Sequence, residues 1–171
     1  MKKLALASLL MTSSVFLSRI IGYVRDAIIA AKFGASGETD TYFAAFTLPD
    51  FLNYLVAGGA FSLTFIPIFT KFMVNNEEEK GWKIYSIIIS VMTTVMILLI
   101  IALEIFMPQI VPHLFPGFSQ EAIDKTVLYT RIVLPAQLFF YNGGILSAVL
   151  MAKKRFVAPA LSPLIYNVSI I

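Results

Sequence analysis

Apolar residues run through this chain in blocks too long for the core of a soluble domain. Five blocks stand out: about residues 4–31, 41–72, 84–107, 123–151 and 157–171. A membrane-crossing helix needs roughly 20 apolar residues. No block alternates with the period of two expected of a half-buried strand. The pattern predicts an all-α fold, a polytopic transmembrane helix bundle of about five spans.

Polar punctuation separates the blocks. Gly34 and Gly37 break the first helix from the second, and Thr39 or Asp40 is placed to cap the second. The second block is long and interrupted by Pro49, Gly58, Gly59 and Pro67. Such breaks survive in a bilayer only where protein or a wet cavity satisfies the freed backbone groups. Residues 71–83 form a clear aqueous loop around Glu77-Glu78-Glu79, with Trp82 and Tyr85 at headgroup level. Pro108, Pro112 and Pro116-Gly117 predict a rigid loop holding His113. Ser119 with Glu121 reads as a helix start. The apolar core of the fourth span begins after Arg131, and Gly143-x-x-x-Ser147 permits close helix packing.

Composition agrees. Of the 171 residues, 58% are hydrophobic and 13% charged, and mean hydropathy is +0.85. Soluble domains carry about twice that charge, so a soluble enzyme is nearly excluded. The chain has no cysteine and one histidine, which removes thiolate chemistry and any multi-histidine metal site. There is no phosphate-binding glycine loop, nucleophile elbow or dinucleotide fingerprint. No catalytic group, metal or cofactor is expected. No exposed basic surface suits nucleic acid.

The first block imitates a signal peptide, with Lys2 and Lys3 ahead of an apolar run. The apolar pattern continues to Ile29, so it reads as one uncleaved span. With five spans and the N-terminus inside, eight basic residues fall inside and two, Lys32 and Lys125, fall outside. That asymmetry places the N-terminus in the cytoplasm. The fifth block has only about fifteen residues, or about 22 Å of helix, short of a bilayer core of about 30 Å. The chain therefore reads as cut from a longer protein continuing beyond Ile171.

Chemistry concentrates in the first span. It holds Ser18, Arg19, Gly22, Arg25 and Asp26. One charge at a span centre costs about 2.5–3.5 kcal/mol, and a leucine returns a few tenths. At about 100° per residue, Arg19, Gly22 and Asp26 share one face, and Ser18, Gly22 and Arg25 the adjacent one. Together they make a polar flank suited to lining a hydrated cavity and gripping an anion, since the arginine fork holds two phosphate oxygens at once. The plainer reading puts Arg25 at the outer interface, paired with Asp26. Asp40 is a cap or a cavity-mouth acid, and Asp50 follows a kink at Pro49. Arg131 is an interfacial anchor. Pro159, Pro163 and Asn167 share one face of the fifth span, which is either wet or held to another helix.

The run Ser18-Arg19-Ile20-Ile21-Gly22-Tyr23-Val24-Arg25-Asp26-Ala27 resembles the start of the MurJ (MviN) lipid II flippase family. So do Phe33-Gly34-Ala35 with Thr39-Asp40, Phe46-Thr47-Leu48-Pro49-Asp50, Gly59-Ala60-Phe61-Ser62, Phe65-Ile66-Pro67, Pro116-Gly117-Phe118, and Arg155-Phe156 with Pro159, Pro163 and Asn167. The resemblance implies about fourteen helices in two lobes around a cationic cavity, in the bacterial cytoplasmic membrane. This chain would be the N-terminal part of the first lobe. The activity implied is alternating-access transfer of lipid II, the undecaprenyl-pyrophosphate-linked peptidoglycan precursor, with no enzymatic step. Arg19, Arg25, Asp26 and Ser18 on the first helix, Asp40 and Asn167 map to its substrate cavity. Where many members carry a basic pair and a glutamate in the second helix, this sequence has Asn53, Tyr54 and Gly58. A related exporter of another lipid-linked oligosaccharide or of drugs, and a small non-transport scaffold, are the alternative readings.

Overall fold

A computed structural model describes residues 2–57 and 60–170, with side chains described for 8–54 and 65–169. The breaks expected at Gly58 and Gly59 lie outside the described residues. Among the described residues seven helices follow one another: α1 (Lys2–Phe33), α2 (Gly37–Ala57), α3 (Ala60–Val74), α4 (Glu78–Leu114), α5 (Gln120–Val133), α6 (Ala136–Ala152) and α7 (Val157–Ile170). No strand occurs among the described residues. The residues of the first, third and fifth apolar blocks fall in α1, α4 and α7. Those of the second fall in α2 and α3, apart from the undescribed 58–59, and those of the fourth in α5 and α6. Among the described residues, α4 and the run Gln120–Ala152 are long and apolar enough to cross a membrane.

Two compact units form. Residues Met1–Gly34 and Ser147–Ile171 make one, and Ala35–Leu146 the other. In the first unit, α7 packs along α1. In the second, α2 packs against α3 and α5, and α4 against α3 and α5. Leu52, Ile100, Met107, Val111, Val127 and Leu134 form its main buried cluster. Large side chains such as Leu98, Ile105 and Phe139 are instead exposed, at 63%, 62% and 77%. Apolar atoms turned outward at that density suit a hydrocarbon solvent.

Three sequence expectations need correction. The α2 cap is Ser36, whose Oγ accepts from the Thr39 N–H at 3.3 Å. Thr39 and Asp40 lie inside the first turn, where Asp40 donates its own N–H to Ser36 O at 3.0 Å. Gly37 does not interrupt a helix; it opens one. His113 is not in a loop, because α4 runs 37 residues through both Pro108 and Pro112. Its Nδ1 lies 2.7 Å from the Gln109 carbonyl, one turn back. Ser119 does start α5, with its Oγ accepting from Ala122 N–H at 3.3 Å.

Three helices end on a residue in the left-handed region: Gly34 at φ 63°, Asn76 at φ 58° and Lys154 at φ 58°. Glycine and asparagine are the usual occupants. Lysine there costs about 1–2 kcal/mol through its Cβ.

Candidate functional site

The α1–α7 unit is joined by polar groups that the apolar background makes selective. Ser14 Oγ donates to the Ala160 carbonyl. Ser18 Oγ donates to the Pro163 carbonyl at 3.1 Å. It also accepts from Asn167 Nδ2 at 2.7 Å. The same amide group reaches the Ser18 carbonyl at 3.3 Å and the Pro163 carbonyl at 3.1 Å. A Cβ added at Gly22 would lie 3.6 Å from Asn167 Oδ1. Contacts therefore step from Ser14 to Ser18 to Gly22 as they step from Ala160 to Asn167, so α1 and α7 run parallel.

This seam divides the polar flank of α1. Ser14 and Ser18 are buried in it at 4% and 8% exposure. Ser18 and Asn167 thus spend hydrogen-bonding capacity on each other. Arg19 and Asp26, about 80–100° around the helix from Ser18, stay exposed. Arg19 has no ion-pair partner among the described residues. With Met11, Thr12, Val15 and Phe16 it lines an open, mostly apolar cavity of about 420 Å³. Arg25 donates from Nε to Asp26 Oδ1 at 3.0 Å, and its Nη2 lies 2.9 Å from the same oxygen. The pairing foreseen for these two residues is present. Because both contacts fall on one edge of the guanidinium, Nη1 and its two hydrogens point elsewhere. Arg19 offers an uncommitted fork for an anion, and Arg25 a fork oriented by a carboxylate.

The second unit holds the remaining candidates. Asp40 is exposed in the first turn of α2 with Glu38, where the helix dipole favours both acids. Asp50 is exposed after buried Pro49, Asn53 is half-buried, and Tyr54 is exposed. Gly58 lies outside the described residues.

Sequence reading did not foresee a charge cluster joining α2 and α5. Lys125 Nζ lies 3.0 Å from Glu38 and 3.0 Å from Glu121. It sits at the polar end of α5, ahead of the apolar core. Its ammonium donates to Glu38 and pairs with Glu121 one turn back. The signal available in sequence was the i, i+4 spacing of Glu121 and Lys125; Glu38, 87 positions away, gave none. A second unforeseen contact joins α4 and α6, where Thr93 Oγ1 meets Asn142 Oδ1 at 3.0 Å.

Comparison with known proteins gives one consistent result. The family model described as "Lipid II flippase MurJ" matches residues 29–171. A probable lipid II flippase MurJ of Buchnera aphidicola subsp. Baizongia pistaciae is 36% identical over 158 residues, covering 91% of this chain and 31% of that protein. The lipid II flippase MurJ of Thermosipho africanus is 33% identical over 166 residues, covering 96% and 34%. A solved structure, lipid II flippase MurJ in an inward closed conformation, superposes with a TM-score of 0.76 at 31% identity, covering 94% of this chain and 34% of that one. The chain spans about a third of the length of these relatives.

Proposed function

The chain belongs to the lipid II flippase MurJ family, and from that premise we propose that it carries part of the anion path of a lipid II flippase in the bacterial cytoplasmic membrane. The helical fold and its likeness to a flippase structure support this. The observation that carries it is Arg19: a guanidinium midway along an apolar helix, turned away from the α1–α7 seam and without a carboxylate partner among the described residues. Among the described residues nothing in the packing of α1 uses that charge, which supports a ligand as its partner.

The chemistry follows from charge. Moving a carboxylate-sized ion into hydrocarbon costs of order 20 kcal/mol by simple solvation arguments. A pyrophosphate-linked headgroup must therefore cross through a wet, basic path while its polyprenyl tail stays in lipid. Hydrogen bonds to charged groups contribute about 1.5–3 kcal/mol each. Arg19 and Arg25 supply such donors at two heights on α1, and Asp26 holds Arg25 in orientation. Ser18 and Asn167 act one step back, fixing α1 against α7 so that Arg19 stays outside the seam. Asp40 supplies an acid at the start of α2. These steps move a molecule by alternating access and make or break no covalent bond.

The test is complementation of a flippase-depleted bacterium by the full-length gene. Arg19→Ala and Arg25→Ala, singly and together, are expected to fail at normal expression. Normal growth of the double variant would overturn the arginine assignment.

A further inference from the structure

The turn between α6 and α7 holds a basic group that the arginine path above does not use. Its backbone is closed by Lys154 N–H to Met151 O at 2.9 Å and Arg155 N–H to Leu150 O at 2.8 Å. The turn after α3 has the same pattern, with Asn76 N–H to Met73 O and Glu77 N–H to Phe72 O at 3.4 and 2.9 Å. The two turns differ in what they do with charge. In the α3 turn, asparagine takes the left-handed position and the nearby Lys80 is tied to Glu77 at 2.7 Å. In the α6 turn a lysine takes that position. Lys154 and Arg155 are both exposed, and neither has an ion-pair partner among the described residues. The cation is kept where glycine would make the turn easier, and it is kept unneutralised.

The parallel register of α1 and α7 says where this charge lies relative to the arginines of the same unit. Ala160 is level with Ser14. Arg155, five residues earlier, is then about 15 Å below Arg19 along the pair, and Arg25 is about 9 Å above Arg19. One unit thus carries cationic groups at three heights, Arg19 and Arg155 exposed and Arg25 half-buried, the lowest at a polar turn between two apolar helices. A polar turn joining two membrane-crossing helices lies at the level of the leaflet phosphates, where basic residues attract anionic headgroups.

We propose that Lys154 and Arg155 are the inner-leaflet docking point for the pyrophosphate of the lipid-linked substrate, before it meets Arg19. The proposal rests on the flippase reading and on a cytoplasmic N-terminus. Arg155 supplies a planar fork and Lys154 a mobile point charge. Their effect is on encounter: a basic patch raises the rate at which an anion arrives, and salt weakens it.

The experiment uses the full-length transporter in vesicles of zwitterionic phospholipid, with lipid II as the probe, measuring transfer against substrate density and salt. The test variant combines Lys154→Gly with Arg155→Gln. Glycine suits the left-handed position, so the turn is preserved or strengthened. A charge-conserving control combines Lys154→Arg with Arg155→Lys. The expected result is a half-saturating substrate density raised about tenfold at low salt, an unchanged maximal rate, and a flatter salt response. The control should behave as wild type. An unchanged half-saturation overturns the proposal. So does an effect seen only when anionic phospholipid is added, which would assign the turn to bulk lipid. A reduced maximal rate at constant half-saturation also overturns it. Arg19→Ala, run in parallel, separates this failure from that of the flippase reading: if Arg19→Ala and wild type transfer equally, the underlying path is wrong.

Discussion

Arg131 of α5 donates two hydrogen bonds to the backbone carbonyl of Glu104 in α4, at 3.2 Å from Nε and 2.8 Å from Nη2. That carbonyl is the one Pro108 leaves empty. In an unbroken helix the N–H four residues on would fill it, and proline has none. The guanidinium replaces the missing donor from a neighbouring helix, while its Nε lies a looser 3.6 Å from the Glu104 carboxylate. Arg131 is therefore more than an interfacial anchor: it is what lets α4 continue past Pro108.

A double-mutant cycle follows from this. Arg131→Met should destabilise the full-length protein by about 1.5–3 kcal/mol, the range for a charged hydrogen bond. In a Pro108→Ala background the backbone N–H restored by the substitution fills the carbonyl, and the cost of losing Arg131 should fall below about 1 kcal/mol. Thermal unfolding in detergent reads both. Equal costs in the two backgrounds would contradict the repair role.

The α1–α7 seam gives a graded expectation at Gly22. A methyl there meets Asn167 Oδ1 at an ordinary 3.6 Å, so Gly22→Ala should be close to neutral. Gly22→Leu should force the helices apart and lower both stability and transport. Asn167→Leu should cost about 0.6–1.7 kcal/mol, as interhelical hydrogen bonds in membranes do. A stabilising Asn167→Leu, by melting temperature in detergent, would show that the seam is packing alone.

Ser36 and Asp40 separate capping from function. Ser36→Ala removes the α2 cap and should cost about 1 kcal/mol, with transport per folded molecule unchanged. Asp40→Asn should cost no more than the about 0.3–1 kcal/mol of its interaction with the helix dipole, since Asp40 caps nothing, and should impair transport if it serves as the proposed acid. Melting temperature and transport rate, measured on both variants, distinguish the two roles. The opposite pattern would return Asp40 to a structural part.

Much of this architecture was legible along the chain because apolar blocks and polar turns are local signals. The starts of α5 and α7 fell at Ser119 and Val157 as read. The α4 end did not, because a proline's break is a local signal, and the donor that rescues Pro108 lies 27 positions from Glu104. The α2 cap was misplaced by a few residues because Ser36, Thr39 and Asp40 are all capable oxygens, and only backbone geometry chooses among them. In the site, helical angles grouped Ser18, Gly22 and Arg25 apart from Arg19 and Asp26. They could not say which group α7 covers. That choice comes from a partner more than 140 positions away.

The central claim is that the Arg19 guanidinium, without an ion-pair partner among the described residues, grips the crossing pyrophosphate. Its most direct test is the transfer rate of lipid II by the full-length protein in vesicles, compared between wild type and Arg19→Ala at matched folded amounts. Losing one charged hydrogen-bond donor of about 1.5–3 kcal/mol predicts a rate lower by about ten- to a hundredfold. A rate equal to wild type would contradict the account.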